Sequence, residues 1–509
     1  MRRPLCVFCA GTLGLELVCA FLPQTGRFVP FAAFFIAGLL WALAGRLRKS
    51  PAWGYGICLI LGAVLGLVLT GSTQAKWEKL QTAYDGRSVL LEAEVESTTS
   101  SYFPGRVRAV LRVETVDREA ASLRVECASL PACSPGDRVK GRFALEMPDD
   151  TARLNALADG IALNAAYEKG FALLGQSTSF RARTARLQKR LSAALRQGMA
   201  SGPAGVLAAM VTGDRTHLSK ELRTAYRGAG LSHVLVVSGM HVSILCGDIL
   251  SVLLPYRWEQ SYRRRSRRAV GKSLLALVLM GVTGFTPSVR RAAVAVWVSA
   301  LGVWVWGPAD TLTSLAAAGI LMTAVNSYAV WDIGFELSFA AVVGTVAGNA
   351  CIRRMRDAHD RRFWVKAGEN LQKPVRRPWY SKLPKGVQGL VESACIAACA
   401  SAATFPVLVL RGLSVSAWAV VSSIAVLWMV QPLLLLGLAV AFAGLVPWLA
   451  PVHGALSRAA DLLTGLLNGW AVWLSTKPGA SIYFNTAYAA LVYLLLCGLG
   501  VLAFRWRVR

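Results

Sequence analysis

Charged side chains are scarce in this chain: 16% of its 509 residues, against 55% hydrophobic ones and a mean hydropathy of +0.47. That composition, with apolar runs recurring near the length of a bilayer crossing, excludes an ordinary soluble domain and reads as a polytopic α-helical membrane protein. Acidic residues are scarcer still, 28 against 55 Lys and Arg, for a formal charge of +27. In a soluble protein such an excess would point to nucleic acid, but cytoplasmic loops of membrane proteins are themselves enriched in Lys and Arg. Most of the eleven cysteines lie in apolar segments without a neighbouring His, as small buried hydrophobes, so no metal site is expected. No G-x-x-x-x-G-K-[ST] loop occurs, so neither ATPase chemistry nor a cofactor is expected. The opening MRRPLCVFCAG lacks a small-residue cleavage site before the next apolar run, and the first helix is expected to be retained.

What is present falls into distinct regions. Apolar runs near 5–23, 28–45 and 52–71 are flanked by Arg2, Arg3, Arg46, Arg48 and Lys49, which the positive-inside rule places in the cytoplasm. Residue 72 then emerges outside. Residues 86–172 alternate apolar and polar, as in SVLLEAEVEST and RVRAVLRVETVD, with turns at PG, SPGD and DG, and read as a small all-β domain. Its length suits a five-stranded OB-type barrel, although alternation does not separate this from other small barrels. Cys127 and Cys133 lie here on the oxidising side, either as a disulfide or as two free thiols. Between 85 and 175 eleven basic residues face fourteen acidic ones, so the domain is mildly acidic, and it either binds a nucleic-acid strand or serves as a structural or docking unit.

The stretch 181–227 carries ten basic residues against Asp214 and Glu221, on the side where the positive-inside rule predicts no excess. At its start Leu187, Leu191 and Leu195 share a helical face, with Arg183, Arg186, Lys189 and Arg190 around the rest. Such a helix either binds a polyanion or lies on anionic headgroups of the lipid bilayer. LSHVLVVSGMHVSIL, 231–245, then leads inward to the arginine-dense 257–272. Apolar segments near 273–286, 291–307, 311–326 and 329–350 precede a second basic loop, 353–386, and runs 388–410, 413–447, 456–475 and 486–504 follow. A cytoplasmic C-terminus, like the N-terminus, requires two crossings or a re-entrant hairpin within 413–475.

Polar groups in a greasy run are partnered or line a cavity. His233, Ser238, Gly239 and His241 therefore either face a pathway or hold neighbouring helices together. The two histidines stand eight residues apart, about 80° around a continuous helix, and a break at Gly239 would let both point inward. Ser238, His241 and Asp248 could also meet as a hydrolase constellation, but no G-x-S-x-G elbow or oxyanion hole accompanies them. Arg290 and Arg291 beside Ser288 are phosphate contacts or helix anchors, and Asp310, Asp332 and Glu336 are expected to pair those arginines rather than to be catalytic.

GDRTHLSKELRTAYRGAGLSHVLVVSGMHVSIL resembles the core motif of the ComEC family of competence proteins, through Gly213, Asp214, Arg215, Gly230, His233, Val237, Ser238, Gly239, His241 and Val242. Three later stretches are similar to the same family: GFTPSVRRA with Ser288, Arg291 and Ala292; Asp310 and then GFELSFAAVVG with Gly334, Phe335, Leu337 and Ser338; and TFPVLVLRGLSVSAW with Pro406 and Ser414. The resemblance implies three N-terminal spans in 1–72, an exported OB-like domain at 86–175, a linker at 181–227 and a competence-type membrane domain at 204–509. It implies a multi-pass channel of the cytoplasmic membrane that passes single-stranded DNA inward. Asp214, Arg215, His233, Ser238, Gly239, His241, Ser288, Arg290, Arg291, Glu336 and Ser338 become candidates for the DNA path, and no residue is expected to be catalytic. The implied partners are an exported DNA receptor, a cytosolic helicase-type ATPase, cytosolic single-strand-binding proteins and a separate nuclease, since no H-x-H-x-D-H motif occurs. The chain departs from the family at Glu336, where Gln is usual, and at VVSSIAVLWMVQP, where an Asn-Pro element is usual. A permease for another polyanionic or lipid-linked substrate explains the composition equally well.

Overall fold

Close backbone packing opens the chain. In the computed structural model, which describes residues 3–484 except 21, 23, 48–49, 51–52, 101–102, 254–261, 306–309 and 370–383, helices α1 (Pro4–Cys19), α2 (Phe28–Leu47) and α3 (Trp53–Tyr84) lie side by side. Glycines make this possible: a Cβ on Gly62 would stand 2.0 Å from the Phe8 carbonyl oxygen, and one on Gly56 2.3 Å from that of Gly38. Thr12 Oγ1 donates to the Gly62 carbonyl at 3.0 Å across the α1–α3 contact. Small residues and interhelical hydroxyl bonds are how helices associate where lipid removes the hydrophobic drive. Cys6 and Cys9, spaced C-x-x-C on α1, are free thiols.

At 32 residues α3 reaches about 48 Å, longer than the hydrocarbon core, and its end enters the β domain. Trp77 is buried with the barrel core and Gln81 Nε2 donates to the Ala162 carbonyl at 3.2 Å. The domain comprises β1 (Ser88–Ser100), β2 (Arg106–Val116), β3 (Glu119–Pro131), β4 (Asp137–Glu146), α4 (Asp150–Ala158) and β5 (Leu163–Gln176). The strands close into a barrel in the order β1-β2-β3-β5-β4, all neighbours antiparallel except β3 and β5. Closure leaves no sheet edge open to another strand. Leu91, Val95, Leu111, Val125, Phe143 and Leu145 fill its interior from alternate positions. Cys127 is buried inside the barrel, Cys133 sits after β3 at the margin of that core, and both are free thiols.

The rest of the described chain is mainly helical: α5 (Phe180–Arg196), α6 (Ser201–Thr212), α7 (Lys220–Gly228), α8 (Gly239–Leu253), α9 (Tyr262–Val282), α10 (Pro287–Trp304), α11 (Thr311–Val325), α12 (Ile333–Glu369), α13 (Lys385–Leu410), α14 (Ala419–Leu445) and α15 (Ala450–Ser475). Among the described residues, α2, α3, the Ile333–Arg353 part of α12, the Gly386–Leu410 part of α13 and α14 are long and apolar enough to cross a membrane; α1, α6 and α11 are shorter apolar helices. These helices and the barrel are the architecture of a polytopic membrane protein with a small β domain. The 413–475 region is filled by α14 and by α15 packed along it. The expected last span, 486–504, lies outside the described residues. Within 181–227 the basic sequence also conceals α6, buried from Ala204 to Thr212.

The glycine contacts yield a paired test. Gly62→Ala should lower the thermal midpoint of the detergent-solubilised protein by several degrees, a loss of at least ~1 kcal/mol from overpacking. Gly71→Ala on the same helix meets nothing within 4 Å and should leave or raise it. Equal midpoints for both would remove the tight α1–α3 contact.

Candidate functional site

A cavity of about 3080 Å³ runs from the outer face of the barrel into the helices that follow it. Along α9 its lining extends from Arg265 to Lys272 and resumes at Thr283 just past the helix end, a length of about 27 Å at 1.5 Å per residue. Among larger side chains such as Leu337, Phe339 and Ile396, its walls carry small residues at helical spacing: Ser288, Ala292, Ala295 and Ser299 on α10, Ser338, Ala341 and Thr345 on α12, and Ser393, Ala397, Ala400 and Thr404 on α13. Each stripe turns one helix face inward and keeps it narrow in profile, leaving open space where larger side chains would fill it.

Fourteen basic and eight acidic side chains line the cavity. The acids are largely committed. Glu96 meets Arg112 and Arg181 at 2.5 Å and Arg124 at 2.6 Å; Glu126 pairs with Arg108, Asp332 with Arg291 at 3.0 Å, and Asp310 with Arg3 at 2.9 Å. Arg215, Arg223 and Arg227, exposed on the wall, form no ion pair among the described residues. The unbalanced charge of the cavity is therefore positive.

Of the residues singled out from sequence, Asp214, Arg215, His233, Ser238, Gly239, Ser288, Arg290, Arg291 and Ser338 line this cavity; His241 and Glu336 do not. Residues 231–238 form no helix, and α8 starts at Gly239. The Ser238 backbone N–H donates to His241 Nδ1 at 3.2 Å, and the Ser238 hydroxyl lies 2.7 Å from the same nitrogen. This is the reciprocal half of a capping box, with His in the place of the usual Glu or Gln at the third helical position. An Nδ1 that accepts a backbone N–H leaves the imidazole proton on Nε2. Such a break is present, but only His233 faces the cavity; His241, fully buried, fixes the start of α8 behind Ser238. The Asp248 side chain of the hydrolase constellation lies outside the described residues.

Arg291 reaches Asp332, whose carboxylate also accepts the N–H groups of Gly334 at 3.0 Å and Phe335 at 3.1 Å, capping α12 and tying it to α10. Glu336 does not pair the 290–291 arginines as expected. It takes a bidentate contact from Arg411 at 2.6 and 3.0 Å, and that guanidinium stacks over Trp331 at 4.6 Å. Arg411, missed in the sequence, carried one signal: a charge ending the apolar run TFPVLVL. On α5, Arg186 and Lys189 line the cavity and Arg183 and Arg190 do not. Arg186 donates to the Ser177 carbonyl and Lys189 to Ser134 Oγ, both at 3.0 Å, while Leu191 and Leu195 are buried and Leu187 stays 40% exposed. The helix is fixed between the barrel and the membrane helices rather than lying free on a surface.

Residues 210–509 match the family model described as Competence protein. Over 152 residues the chain is 28% identical to ComE operon protein 3 of Bacillus subtilis (strain 168), a stretch that covers 30% of this chain and 19% of that protein. The match thus spans about a fifth of the relative's length. No solved structure matches.

The Glu96 cluster has a pH signature. Burial alone would raise its carboxyl, but the Arg124, Arg181 and Arg112 guanidiniums outweigh it and hold the group below the ordinary carboxylate range. A depressed folded value stabilises above the unfolded range, near pH 4.3, and the gain is lost as pH falls through the folded value. Glu96→Gln should therefore melt below wild type at pH 7, and the gap should narrow in acid. A gap constant from pH 7 to 3 would contradict that charge assignment.

Proposed function

Because the chain belongs to the Competence protein family, we propose that it is a ComEC-type channel that passes single-stranded DNA inward through this cavity. The supporting observation is the cavity's dimensions together with its charge. A length of about 27 Å approaches the ~30 Å of a hydrocarbon core. Arginine surplus at the barrel side suits a polyanion, and small hydroxyl and methyl walls suit passage without tight binding.

In this reading the barrel is an OB-type domain on the outer side and both termini are cytoplasmic. Strand capture falls to Arg186 and Lys189 with Arg215, Arg223 and Arg227, rather than to all four α5 cations. An exported receptor delivers DNA, a cytosolic helicase-type ATPase pulls the strand, single-strand-binding proteins receive it, and a nuclease that removes the other strand acts as a separate partner. No step requires a catalytic residue of this chain.

The test is uptake of labelled DNA into a nuclease-protected cytoplasmic pool, in a transformable host whose own channel gene is deleted, at matched membrane abundance. Ser338→Trp and Ala397→Trp, which fill the wall, should each remove most of the uptake. Leu462→Trp, at a position 71% exposed on α15, should retain it. Full uptake in both wall variants, or in cells lacking the protein, would sink the channel and favour a permease for another polyanion.

A further inference from the structure

The adjacent Arg290 and Arg291 hold different positions, and the turn before them explains why. Helix α9 ends with Gly284 N–H donating to the Gly281 carbonyl at 3.2 Å and Phe285 N–H to that of Met280 at 2.9 Å. Gly284 (φ +70°) and Phe285 (φ +56°) are both left-handed. For a phenylalanine that conformation costs of order 1 kcal/mol or more, and the ring is held by Phe180, edge-on at 6.1 Å, and by the Arg181 guanidinium at 5.4 Å. The reversal aims the N-terminus of α10 at the cavity, with Thr286, Ser288 and Arg290 on its wall.

Arg291 is consumed structurally: it is only 5% exposed, and its Nη1 is bound to Asp332. The Arg290 side chain has no hydrogen bond or ion pair among the described residues, and its Nε is buried without a partner. Thr286 Oγ1 is also buried and unpartnered, as is Arg291 Nε inside its nine-tenths-buried side chain. Arg124 and Arg181, both pinned to Glu96, add positive charge around Arg290; the acids facing it are Asp332, already used by Arg291 and the α12 cap, and Asp159. A helix dipole, spare hydroxyl donors and a spare guanidinium converge where, among the described residues, no carboxylate comes within ion-pair distance of Arg290.

We propose that Thr286, Ser288 and Arg290 form a phosphodiester cradle on the cavity wall, with Arg291 as its positioning residue. The proposal rests on the channel reading and adds that the strand is held here by its backbone, one phosphate at a time, irrespective of base. Phe285, next to the cradle in sequence, is already engaged by Phe180 and Arg181. A single such contact is weak enough to release the strand for its next step.

The experiment measures binding of a short fluorescent oligothymidylate to the full-length chain in phosphatidylcholine nanodiscs as salt is varied. Arg290→Gln should weaken binding and lower the magnitude of the log K against log salt slope by about 0.7, one phosphate of a single strand. Arg290→Lys should retain most of the slope, and an oligomer with a neutral methylphosphonate backbone should show no difference between wild type and Arg290→Gln. Thermal midpoints should match across the Arg290 variants, whereas Arg291→Gln should melt lower. An unchanged slope in Arg290→Gln, with wild type binding normally, would overturn the cradle and leave the channel standing. Failure of wild type to bind at any salt would overturn the channel reading with it. If phosphatidylglycerol added to the discs abolishes the wild-type advantage, the cradle holds a lipid phosphodiester and the assignment to DNA is overturned.

Discussion

An ionised side chain in hydrocarbon costs at least ~2.5 kcal/mol on insertion scales, and far more when isolated. The membrane half of this protein is arranged around that cost. Many charges near apolar helices are either locked in pairs or turned toward the cavity, with Glu16, buried on α1 and off the cavity, as an exception, and the two sets do different work. Arg291 with Asp332, Arg411 with Glu336 and Arg3 with Asp310 each join segments far apart in the chain. Pairs of this kind add little net stability over apolar packing, yet breaking one leaves a buried charge uncompensated, so they specify which helices meet. The set without an ion pair among the described residues, Arg215, Arg223, Arg227 and Arg290, is tolerated because its members border a cavity where water or an anion can reach them.

The same economy governs how the barrel is held. Trp77 and Gln81 carry α3 into it, Ser179 Oγ donates to Glu94 at 2.6 Å, and Arg181 pairs with Glu96 just where the chain leaves β5 for α5. On the far side Asn326 Nδ2 donates to the Leu157 carbonyl at 2.7 Å. Contacts from α3, α5 and the turn after α11 thus fix the barrel over one mouth of the cavity. The Glu96 cluster neutralises arginines that would otherwise repel one another and the nearby Arg290.

Patterns of fixed period were legible in the sequence. The apolar runs of α2, α3, α13 and α14 announce spans, and the alternation of β1 to β4 announces a barrel, because burial on one face imposes a period of two. Contacts between distant segments were not. Spacing of three between Ser238 and His241 admits a shared helical face or a cap, and only the non-helical course of 231–238 decides for the cap. Helix α6 was hidden because its neighbours are basic while its own twelve residues carry no charge. The split between Arg290 and Arg291 was unreadable for a similar reason, since adjacent residues point about 100° apart on a helix and only the position of Asp332 says which one is anchored.

The two departures from the family pattern acquire different weights. Glu336 lies off the cavity and makes a bidentate ion pair with Arg411; a neutral Gln could hydrogen-bond that guanidinium but not balance it, so the change concerns how α12 meets α13 rather than what the cavity binds. VVSSIAVLWMVQP bears on the bore directly. Ser422 Oγ donates to the Ala229 carbonyl at 2.6 Å, and Gly230, in a left-handed turn, leaves no room for a Cβ, which would stand 2.7 Å from Ala419. The start of α14 is thereby seated on the turn that introduces His233. From that seat Ser423, Ile424 and Leu427 face the cavity. A wall that pairs spare arginines with small and apolar side chains can attract a polyanion without arresting it, and in this chain α14 supplies the side that does not hold on.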